Sequence, residues 1–208
     1  MKSYAKGGTK VQTYNYKVKP GPEGFIISSA AIEGVVLPEK GESLVEGNIL
    51  TEMDGMKKVA EKLLSAKNPV FVPGPLILWN WMDGVEEKAK AFIELAQTVG
   101  GKIIPMPDYR PKYPKIEPEV EINPVHPNLT IMHHNIDVCV FAGIHSHYAN
   151  LALKLIRGGT SCYTISLSEE VGNEDAMISI RDVDAAKVRQ LTEITKNLKC
   201  QQGGKHCE

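Results

Sequence analysis

The spacing of apolar residues changes character near residue 51. From Asp54 to Ala66 they recur as Met56, Val59, Ala60, Leu63 and Leu64, the three- and four-residue spacing of one helix face. Asn68-Pro69 stops that helix, and Val70-Phe71-Val72 follows as an unbroken apolar run. Such a run suits a strand covered on both faces. Glu86 to Val99 repeats the helical spacing through Ala89, Phe92, Ile93, Leu95 and Ala96, and Gly100-Gly101 closes it, as glycine does at a helix C-terminus. Lys102 to Met106 reads as the next strand, and Asp137 to Gly143 as a buried strand ending in glycine. His147 to Arg157 reads as a helix, Thr160 to Leu167 and Ala176 to Ile180 as strands, and Asp184 to Asn197 as a closing helix.

Short apolar strands alternating with helices of this length predict βαβ units and a parallel sheet covered on both faces. The expected architecture is therefore a doubly wound three-layer α/β domain over residues 51–200. Residues 1–50 form an N-terminal arm or accessory strands, with Phe25-Ile26-Ile27 and Gly34-Val35-Val36-Leu37 as short extended segments, and 201–208 form a polar tail. Residues 105–127 hold seven of the 13 prolines, which excludes regular helix or central sheet there and predicts a long ordered loop or a connector.

Composition narrows the function classes. The 208 residues carry 24 Lys+Arg against 25 Asp+Glu, a formal net charge of −1. That balance disfavours a dedicated nucleic-acid or membrane-surface binder. The first 19 residues are locally basic (Lys2, Lys6, Lys10, Lys17, Lys19), with Tyr4, Tyr14 and Tyr16 between them. An RNA contact and a docked arm with solvated lysines are both open readings of that pattern. No apolar run has the length of a membrane span, and the polar N-terminus lacks a signal core, so a cytoplasmic protein is expected. Cys139 and Cys162 fall in apolar runs and read as core thiols, whereas Cys200 and Cys207 read as exposed thiols.

In a doubly wound sheet, ligands bind beyond the carboxyl ends of the strands where strand order reverses. Two loops are candidates: Pro73-Gly74-Pro75, and Ala142-Gly143-Ile144-His145-Ser146-His147. Their cofactor-contact candidates are Gly74, Gly143, His145 and Ser146, since backbone N–H groups at a helix start can hold phosphate. Neither loop is G-x-G-x-x-G, and Pro73 and Pro75 bring no N–H donor. His133-His134 and His145-x-His147 flank opposite ends of one strand, so a shared metal is not expected. No nucleophile elbow, P-loop, H-E-x-x-H or paired carboxylate signature occurs, and no catalytic residue is assigned. Trp79 and Trp81 suit ring stacking or packing against a partner protein.

Several runs carry a resemblance: Ala60 to Gly74, His126-Pro127-Asn128, Asp137 to Gly143, Tyr148-Ala149-Asn150-Leu151 and Cys162 to Leu167. Through them, residues 56–195 resemble the epsilon subunit of the archaeal acetyl-CoA decarbonylase/synthase complex, the small partner of a nickel–iron carbon monoxide dehydrogenase subunit. The resemblance implies the nucleotide-binding domain fold shared by deoxyhypusine synthase and the middle domain of thiamine diphosphate enzymes. It implies an accessory subunit of anaerobic one-carbon metabolism and methanogenesis, without its own active site. Such a subunit stabilises the dehydrogenase and assists electron transfer to flavin. The nickel–iron–sulfur clusters would lie in the large partner subunit and no metal in this chain, with FAD left open as a cofactor. A free-standing nucleotide- or flavin-binding enzyme of the same fold is the alternative.

Overall fold

The computed structural model describes residues 37–80, 83–107 and 117–203. The first strand, β1 (Glu42–Val45), turns back into β2 (Asn48–Thr51). Thr51 then caps α1 (Glu52–Ser65), its hydroxyl accepting the Asp54 amide at 3.1 Å. This satisfies one of the orphan donors of the first turn. β3 (Pro69–Pro73), the single-turn α2 (Pro75–Leu78) and α3 (Val85–Val99) follow. Next come β4 (Lys102–Ile103), α4 (Pro127–His134) and β5 (Val138–Ala142). The chain finishes with α5 (Ser146–Gly159), β6 (Tyr163–Leu167), β7 (Ile178–Ile180) and α6 (Ala185–Gly203).

The seven strands form one sheet in the order β2-β1-β7-β6-β5-β3-β4. The five strands from β7 to β4 run parallel, while β1 pairs antiparallel with both β7 and β2. The sheet is thus mixed rather than wholly parallel. A tight hairpin can only produce antiparallel neighbours, and residues 42–51 are such a hairpin. These accessory strands are continuous with the sheet. The arm's expected extended segments, Phe25–Ile27 and Gly34–Leu37 up to Val36, lie outside the described residues, as do the tail from residue 204 and residues 108–116 of the Pro-rich loop.

Alternation along each strand divides the core. Phe71, Val140 and Ile165 face α1, α3 and α6, where Met56, Val59, Leu95 and Leu191 meet them. Phe71 and Phe92 pack edge to face at 5.3 Å between centroids. Val70, Val72, Cys139 and Phe141 face the other way, onto Ile131 of α4 and Leu153 and Ile156 of α5. Helices therefore cover both faces, as a three-layer arrangement requires. The Asp137 carboxylate ties the starts of two central strands together, accepting the Lys67 and Asn68 amides at 2.7 and 2.9 Å.

The order of the strands singles out one end of the sheet as the candidate site. The chain leaves β3 toward β4 at one edge, then returns to the far side of β3 to build β5, β6 and β7. β3 and β5 are therefore the neighbours at which strand order reverses, and the crevice beyond their carboxyl ends is where ligands bind in open α/β sheets.

Candidate functional site

At that crevice the two predicted loops meet each other directly. The Gly74 amide donates to the Ala142 carbonyl at 2.8 Å, and the Leu76 amide to the Gly143 carbonyl at 2.9 Å. With Pro73 and Pro75 lacking N–H groups, every backbone donor from 73 to 76 is absent or already bonded. Gly143 adopts φ +67°, and a Cβ there would press on Ile77. The loops close like a seam, which only two glycines permit.

The other predicted residues sit at the first turn of α5. The Ser146 hydroxyl donates to Glu170 Oε2 at 2.5 Å, and His145 Nδ1 lies 3.6 Å from Glu170 Oε1. The Ser146 hydroxyl, followed by weaker contributions from His145 and the Ser146 amide, holds the Glu170 carboxyl below the usual carboxylate range. His145 and His147 stack at 5.9 Å between centroids. The structure thus brings Gly74, Gly143, His145 and Ser146 to one place. It also puts a carboxylate of the chain where a cofactor phosphate would sit on the positive end of the helix. The Gly74 and Leu76 amides and the Ser146 hydroxyl are thus already engaged within the chain.

Because Glu170 is nearly half exposed, its clasp contributes little. Glu170→Gln is expected to cost about 0.5 kcal/mol at neutral pH, since solvent screens the pair. The folded pKa is depressed, so the contribution is present above the ordinary glutamate value and fades as pH falls through the lower folded value. Thermal melts of both proteins across the acid range should converge at low pH; a constant gap would show that the charge plays no part.

A second feature at this end escaped sequence reasoning. A cavity of about 560 Å³ opens between the starts of α3 and α6, walled by Leu76, Val85, Val183 and Ala185. At its base Lys88, 8% exposed, donates to Glu169 Oε1 at 2.5 Å and to the Val183 carbonyl at 2.6 Å. Burial pulls the Lys88 pKa down, and the Glu169 carboxylate opposes that shift. Arg189 pairs with Glu87 at the rim. Ser168-Glu169-Glu170 directly after β6 was the available signal. Two consecutive acids at the carboxyl end of a buried strand place carboxylates at the ligand end of the sheet.

The remaining expectations are structural. Cys139 and Cys162 are buried free thiols, and burial pushes the Cys139 thiol up. Cys200 is disulfide-bonded, not the exposed thiol expected, and Cys207 lies outside the described residues. His133 and His134 meet edge to face at 4.7 Å at the end of α4. Among the described residues no group of three His, Cys, Asp or Glu side chains could hold a metal ion. Nor is any helix there long and apolar enough to cross a membrane. Trp79 is 40% exposed, and Trp81 lies outside the described residues.

No curated protein sequence matches this chain. A family model described as CO dehydrogenase beta subunit/acetyl-CoA synthase epsilon subunit matches residues 35–198, a span that takes in all seven strands of the described sheet and α6 as far as Leu198, and the chain belongs to that family.

Proposed function

We propose that this chain is a non-catalytic accessory subunit of an anaerobic carbon monoxide dehydrogenase/acetyl-CoA decarbonylase-synthase complex, where it stabilises the large nickel–iron subunit. The observation that carries the reading is the family match over the whole folded core, residues 35–198. The site geometry supports it. The Gly74 and Leu76 amides and the Ser146 hydroxyl, donors that a nucleotide phosphate at these loops would call on, are engaged within the chain. Assistance of electron transfer to flavin belongs to the same reading, with the flavin held elsewhere in the complex than on the β3 and β5 loops.

Anaerobic purification from the native cells tests this. Co-elution of the chain with a large subunit showing broad iron–sulfur absorbance is the expected result. Faster loss of CO oxidation on warming, once the chain is stripped away, is expected as well. Slower CO-driven reduction of added FAD by the stripped complex would carry the electron-transfer part. A chain that elutes alone with a flavin spectrum would overturn the subunit reading in favour of a free-standing flavin-binding enzyme.

A further inference from the structure

We infer that the cavity between the starts of α3 and α6 receives a lysine or arginine side chain from a partner chain, an inference that rests on the subunit reading above. Charge is the first argument. The cavity's own cations are committed, Lys88 to Glu169 and the Val183 carbonyl, and Arg189 to Glu87. Asp83 and Asp184 also line it. Asp83 has no ion-pair partner among the described residues, and Asp184, whose Oδ1 accepts the Lys187 amide at 2.8 Å, forms no ion pair there either, although its charge acts on nearby Lys88. An excess of negative charge therefore faces the opening.

Helix starts attract anions, but here the chain supplies them itself: Glu86 and Glu87 occupy the first turn of α3, and Asp184 precedes α6. A phosphate or carboxylate ligand would meet like charge, whereas a cation would find two carboxylates. Shape is the second argument. Leu76, Val85, Val183 and Ala185 give the cavity apolar lining alongside Asp83 and Asp184. A long basic side chain fits that lining, laying its aliphatic stem on the apolar residues and its charged head against the carboxylates. Leu78, on the same short helix as Leu76, and Trp79, the residue after it, are 42% and 40% exposed. They supply apolar contact area of the kind that flanks arginine anchors in protein interfaces.

The probe is N-butylguanidinium chloride, with N-butylurea as its uncharged isostere, titrated into the isotopically labelled full chain and followed by amide NMR shifts. Butylguanidinium should give saturable shifts at residues 84–88 and 183–186, and butylurea should not. The double variant Asp83→Asn/Asp184→Asn should weaken the binding about tenfold, the effect of two partly exposed ion pairs. Asparagine keeps the helix cap at 184, so the variant should melt like the parent. Equal binding of both probes, binding of neither, or full binding by the double variant would each overturn the inference. A chain that co-purifies with the large subunit yet ignores butylguanidinium keeps the subunit reading and loses this one. A chain that binds the probe but elutes alone loses the subunit reading, and with it the partner this cavity would serve.

Discussion

Gly74→Ala is expected to destabilise the protein by about 3 kcal/mol, the upper range for forcing extra atoms into a packed site. A Cβ at position 74 would overlap Ile144 Cγ1 and stand 2.5 Å from the Gly143 carbonyl oxygen. Side chains can turn aside, but a backbone oxygen cannot, and this one is held by the Leu76 amide at 2.9 Å. Moving the loop outward would break that bond and the Gly74–Ala142 bond together, at the centre of the sheet's functional end. Gly158→Ala provides the control. It lies within α5 with nothing within 4 Å of its would-be Cβ. Alanine there should stabilise by about 0.5–1 kcal/mol through helix propensity and a less disordered unfolded chain. Urea unfolding of the two variants should move the midpoint in opposite directions. Two equal, small shifts would mean that the seam between the loops is looser than the structure has it.

The seam joins two loops whose nearness was readable from the strand pattern, whereas the bonds between them were not. The strands and helices from Asp54 onward were legible because burial on both faces leaves continuous apolar runs, and burial on one face leaves helical spacing. Helix α4 was not: Pro127 sits at its first turn, where proline is tolerated, and the prolines before it masked its start. The hairpin at 42–51 was hidden because its strands have four residues each, too short for alternation to register. Gly74, Gly143, His145 and Ser146 were legible as a cluster, since the carboxyl ends of neighbouring strands must converge. What they touch was not, because Glu170 is 24 residues from Ser146. Lys88 reads as one more charged position on an amphipathic helix until β6 delivers Glu169 beside it, 81 residues on.

Arg157→Ala is expected to cost about 3 kcal/mol, the low end for removing one partner of a buried ion pair, because Arg157 itself keeps some exposure. Asp175 is 2% exposed and meets Arg157 Nη2 at 2.6 Å, while Lys154 approaches its other oxygen at 3.5 Å. That other oxygen, Oδ2, is buried without a hydrogen-bond donor among the described residues, so little else compensates the charge. Burial pushes the Asp175 carboxyl above its usual range, and Arg157 and Lys154 only partly restrain it. An acid with a raised folded pKa binds its proton more readily in the folded state. Stability therefore declines as pH rises from the unfolded value, about 3.9, through the folded value, and then levels. Without Arg157 the folded value moves further up and the decline extends over a wider range. The difference between variant and parent should accordingly be small near pH 4 and grow toward neutrality. Asp175→Asn in the Arg157→Ala background should restore part of the loss by removing the stranded charge. A gap independent of pH, or no gain from the second substitution, would show that Arg157 acts by packing alone. The consequence reaches the functional end of the sheet, because Asp175 lies in the loop that carries Glu169 and Glu170. Asn173 anchors that loop through Ser166 Oγ at 2.6 Å and Asn150 Oδ1 at 2.7 Å. With Arg157 gone, those side-chain bonds must hold the loop with less help. The amide signals of Ser146 and Lys88 should then broaden, although neither residue touches the substituted side chain.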